Sequence, residues 1–133
     1  MKSGQTVHQE LVFVCHQRFH LWNPQIVLQS IGVHAIQSRH ALHRGQCVGP
    51  LRLFAQSEAN GLYSAIPVYF PDSFNSVHLE DSTAVVLTWL FPLYSPELDW
   101  CRNKGWASLE AELERQDPDL MDLQRPALML RQT

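Results

Sequence analysis

The spacing of apolar residues changes along the chain, and each change marks an element. Residues 9–19 predict a strand, with Leu11, Phe13 and Cys15 on one face and Val12, Val14 and His16 on the other. Both faces are largely apolar, so this strand is expected inside the sheet rather than at its edge. The period then lengthens. Val27, Leu28, Ile31, Ala35 and Leu42 form one stripe at helical spacing. Asn23 is a natural cap, Pro24 suits the first helical position, and Gly45 stops a helix predicted to reach about His43. Ile26, Val33 and Ile36 lie off the stripe. They are expected to be buried by another element, the other reading being a contact surface.

Cys47-Val48-Gly49-Pro50 reads as a loop, Leu51–Gln56 as a short strand and Asn60-Gly61 as a turn. Leu62–Phe70 predicts a strand that Pro67 interrupts, which places it at an edge or a bulge. Val77–Leu79 reads as a brief strand and Asp81-Ser82 as a hairpin turn. Thr83–Phe91 is almost continuously apolar and is expected at the sheet centre, buried on both faces. Ser95-Pro96-Glu97 opens a helix ending near Gly105, with Ser95 as its cap. A further helix runs from Trp106 to about Gln116, with Trp106, Leu109 and Leu113 facing inward. Asp117-Pro118 ends it, and a terminal strand is expected over Ala127–Leu130. The pattern is α+β: one mostly antiparallel sheet, a long helix after the first strand and two helices near the C-terminus.

The 133 residues suffice for a single domain and one core. A net charge of −3 disfavours general nucleic-acid binding. Its distribution says more. Residues 1–71 carry a balance of +3 and residues 72–133 a balance of −6. The acids Glu97, Asp99, Glu110, Glu112, Glu114 and Asp117 are therefore assigned to a partner-facing surface that steers a basic protein. Three cysteines without short spacing, no signal-peptide pattern and no long apolar run predict a cytoplasmic chain away from the membrane.

Candidate chemistry is sparse. His40 and His43 stand one helical turn apart, with Cys47 four residues beyond, so a small metal- or thiol-dependent enzyme is one alternative. The array lacks a second pair of ligands, and no metal or other cofactor is expected. Nucleophile-elbow, phosphate-loop and zinc-protease motifs are absent. Glu97 and Asp99 cannot form a catalytic pair from one helix, because residues two apart point about 200° apart. No catalytic residue is assigned.

The second half is similar to the suppressor of fused domain. Val85-Val86-Leu87-Thr88-Trp89-Leu90-Phe91-Pro92-Leu93 followed by Ser95-Pro96-Glu97-Leu98 resembles its apolar strand and short "EEL" helix. Trp106–Arg115 resembles the Leu-rich helix that follows, and Asp122-Leu123-Gln124-Arg125-Pro126 the terminal "D-(L/M)-x-R" element. Glu10–Val14 resembles the "ELTF" strand, and Trp22-Asn23-Pro24 the opening of the first helix. The resemblance spans about residues 9–130 of the single domain. The loop at Cys47–Leu51 lacks the histidine usual in the family, and the sequence usual ahead of the first strand is missing, as in a short or trimmed homologue.

The resemblance implies non-enzymatic protein binding. The animal member holds a peptide of a transcription factor as an added strand, whereas stand-alone bacterial members resemble immunity proteins. A cytoplasmic immunity-type protein that neutralises a cognate toxin domain is the expected function. A scaffold or regulatory subunit bound through Ile26 and Val33 is the remaining alternative.

Overall fold

The computed structural model describes residues 7–38, 42–65, 76–78 and 84–130. Its sheet is organised by one strand, β5 (Ala84–Leu93). Strand β1 (Val7–Phe13) pairs with it in parallel, from Val7 opposite Ala84 to Phe13 opposite Leu90. The other side of β5 is shared. Strand β4 (Ser76–His78) takes its first half and β3 (Gly61–Ala65) its second, both antiparallel. A two-residue strand β2 (Cys47–Val48) extends the sheet beyond β3. The order is β1-β5-β3-β2, with β4 attached to β5. Three of the four pairings among the described residues are antiparallel, so the α+β class with a mixed, mostly antiparallel sheet holds.

Side chains alternate across the sheet as the pleat requires. Leu62 and Leu90 face a core shared with Phe19, Val27, Ile31 and Phe54. Tyr63, Trp89, Phe91 and Leu93 face a second core with Leu98, Cys101 and Leu109. Helix α1 (Gln25–Ser38) thus covers one face, and α2 (Ser95–Lys104) with α3 (Trp106–Gln116) covers the other. A strand covered on both faces has no polar side to present to water, which explains why β5 is apolar except at Thr88.

Several expectations are corrected. β1 stops at Phe13, and the chain turns through a 3₁₀ helix at Gln17–Trp22 that swings Phe19 into the core at 2% exposure. β1 also stands at one end of the sheet order rather than inside it. β3 lies between β5 and β2, not at an edge; Pro67, Asp81 and Ser82 fall outside the described residues. Cys47-Val48 forms a strand where a loop was expected, whereas 51–56 and 127–130 form none. Asn23, with φ of 56°, closes the 3₁₀ turn, and α1 begins two residues later. The cap position of α2 is taken by Tyr94 rather than Ser95.

The exposed faces also differ from expectation. Ile26, Val33 and Ile36 are not buried: their exposures are 54%, 49% and 78%. α1 meets the core through a narrow stripe in which Val27 and Ile31 are the buried residues, so neighbours displaced around the helix reach solvent. Trp106 opens α3 at 41% exposure, while Leu109 beneath it is fully buried. Leu42 is buried beyond the end of α1 because Gln9 on β1 bonds its backbone twice, accepting from its N–H at 3.0 Å and donating to its carbonyl at 2.8 Å.

Candidate functional site

The six acids assigned to a partner surface do not form one surface. Glu97 is fully buried. Its carboxylate accepts two hydrogen bonds from Arg125, at 2.8 and 2.9 Å, and others from the backbone of Tyr94 and Leu128. Arg125 also donates to the carbonyl of Pro92 at the end of β5. This pair ties the C-terminal segment to α2 and β5, so Glu97 belongs to the core, contrary to the sequence expectation. Composition warned against it, since a carboxylate is rarely inside unless paired, and its partner lies 28 residues away.

Two more acids are engaged from within. Glu110 on α3 accepts from Arg44 at 2.8 Å and from the Tyr63 hydroxyl at 2.5 Å. Burial, and then this bond to Glu110, push the Tyr63 hydroxyl well above its ordinary pKa. The Arg44 guanidinium also lies over the Trp106 ring, 4.9 Å from its centre. Glu112 accepts from Arg115 at 2.6 Å and from Gln116, and these bonds hold its carboxyl below the usual range. Asp99, Glu114 and Asp117 are exposed, and among the described residues their carboxylates have no hydrogen-bond or ion-pair partner. Half of the assigned set therefore has charge available to a partner.

One of these open carboxylates borders a cleft. A cavity of about 350 Å³ lies between the sheet and α3. Its deep end is made by Tyr63, Trp89 and Phe91, all at or below 2% exposure. Leu113 and Leu120 form an apolar wall. The closed Arg44–Glu110 pair and Glu114, one turn further along α3, stand at the rim. Sequence reasoning missed this cleft. Its residues come from five separate segments, and the available signal was the apolar alternation of β3 and β5 together with the i, i+4 spacing of Glu110 and Glu114.

The alternative centre is less well supported. His43 is exposed, and His40 lies outside the described residues. Among the described residues no three His, Cys, Asp or Glu side chains converge on an ion site. Burial, then a hydrogen bond with Cys101, push the Cys47 thiol from its ordinary 9.0 up to about 12. A catalytic thiol needs the opposite shift. No helix among the described residues is long and apolar enough to cross a membrane.

Comparison with known proteins agrees with the fold. A suppressor of fused homologue from Neisseria gonorrhoeae FA 1090 superposes with a TM-score of 0.71 at 16% identity, covering 93% of this chain and 65% of its own. A chain of the Sufu–Fu complex superposes with a TM-score of 0.64 at 16% identity, covering 79% and 44%. This chain thus spans less than two thirds of either. No curated protein matches it. The profile of the suppressor of fused protein family matches residues 1–126, and on that match the chain belongs to the suppressor of fused family.

Proposed function

We propose that the chain is a non-enzymatic protein-binding module, an immunity-type inhibitor that neutralises a cognate toxin domain in the cytoplasm. The observation that carries the reading is the set of open carboxylates at Asp99 on α2, Glu114 on α3 and Asp117 at the end of α3, where the helices' other acids are spent internally. Unpaired exposed charge of one sign steers a protein of the opposite sign, and toxins that act on nucleic acid need basic clefts to hold phosphates. A fold relative observed in a complex with another protein supports the binding role.

The test searches the neighbouring reading frames for a secreted protein with a C-terminal toxin domain and measures the association and dissociation rates of that domain with this chain at two salt concentrations. Asp99→Lys and Asp117→Lys are expected to slow association and flatten its salt dependence, leaving dissociation nearly unchanged. Wild-type rates for both variants at both concentrations would reject the electrostatic face. Failure of the unmodified pair to associate would reject the immunity role.

A further inference from the structure

The cleft between the sheet and α3 has a shape and a charge that select one kind of guest. At about 350 Å³ it is at the lower end for ligand pockets, so it suits one long side chain rather than a nucleotide or a large cofactor. Its inner surface is aromatic and aliphatic, from Trp89 and Phe91 to Leu113 and Leu120. A guest must therefore bring an apolar stem. At the rim, Arg44 and Glu110 neutralise each other, and Tyr63 takes one of the remaining lone pairs of Glu110. Among the described residues Glu114 is left as the uncompensated charge, so the outer end of the guest should be cationic.

We propose that this cleft receives a lysine or arginine side chain of the partner protein, its methylenes against Leu113 and Leu120 and its charged end against Glu114. The assignment rests on the protein-binding reading and deepens it by naming the anchor. Long basic side chains divide in this way, with the stem on apolar surface and the head at the water boundary. A carboxylate at the rim of a low-dielectric cleft attracts such a head more strongly than one on an open helix.

Two measurements test the proposal. In the first, n-hexylammonium and neutral n-hexanol are titrated into the whole protein, with methyl-labelled leucine resonances of Leu113 and Leu120 as the readout. Saturable shifts are expected, with hexylammonium at least five-fold tighter, an advantage that disappears in Glu114→Gln. Equal affinity for the two probes, or no saturable site, overturns the proposal. In the second, Leu113→Trp fills the cleft from an only partly buried position. Once its thermal midpoint is shown to match wild type, at least ten-fold weaker binding of the toxin domain is expected. Should that variant fail to fold, Leu120→Phe replaces it. Wild-type affinity with a filled cleft would overturn the anchor while leaving the module a protein binder. If the unmodified toxin does not bind at all, the immunity role fails and the alkyl probes still decide the cleft.

Discussion

At the residue scale, the two charges of Glu97 and Arg125 carry the largest local consequence. Each is buried, and each is satisfied chiefly by the other. Removing one leaves the second without compensation inside the protein. Arg125→Met is expected to cost about 3–5 kcal/mol, read as a fall in the urea midpoint. The double variant Glu97→Met/Arg125→Met should regain part of that loss, because the stranded charge is gone as well. A single variant as stable as wild type would refute the role given to this pair. Gly61 is critical for a steric reason. A Cβ there would lie 2.6 Å from a Leu98 methyl, and Leu98 is itself 2% exposed and unable to swing away. Gly61→Ala should cost about 1–3 kcal/mol in the same assay, and a neutral result would mean that α2 can lift from β3.

At the element scale, β5 joins the two cores, and Trp89 fills the one under α2 and α3. Trp89→Ala is expected to lose about 3–5 kcal/mol, near the whole stability of a small domain, and an unchanged unfolding midpoint would contradict its placement. The contact of β2 with α2 makes a pH prediction. The folded state holds the Cys47 proton more tightly than the unfolded chain does. Its contribution is complete below pH 9 and is lost as pH rises from 9 towards 12. Thermal midpoints followed over that window should fall, and Cys47→Ala should flatten the fall; parallel curves would disprove the link. The elements most legible in the sequence were those whose signal is local. The apolar run of β5, the Pro96 opening and Gly105 end of α2, and Asp117 closing α3 all act within a few residues. What could not be read depended on distant contacts. Leu51–Gln56 has strand-like composition, but the places beside β3 are already taken by β2 and β5. Ile26, Val33 and Ile36 have core-type side chains, yet the narrow footing of α1 leaves them outside. At the candidate site, Glu114 and Asp117 were legible as charge, but which acids stay open was decided by Arg44, Arg115 and Arg125, set by tertiary packing.

At the scale of the whole molecule, the parallel pairing of β1 with β5 makes the first described strand depend on a strand near the far end of the chain. A fragment starting at Leu42 would lose that neighbour and the Gln9 bonds to Leu42 together. It should fail to unfold cooperatively, as judged by circular dichroism and hydrogen exchange, and a sharp transition in the fragment would show that β1 is dispensable. The same connection has a meaning in time. Synthesis proceeds at about 5–20 residues per second, so roughly 4–15 s separate the making of Phe13 from that of its partner Leu90. Over that interval β1 emerges without the strand it is built to join, and its half-apolar backbone needs shelter from other chains. Arg125 and Leu128 must follow before the Glu97 carboxylate is enclosed. The described fold therefore closes only after Leu128 has been made. A ribosome that stops before Arg125 leaves the Glu97 carboxylate without its cation and an open chain for the proteases.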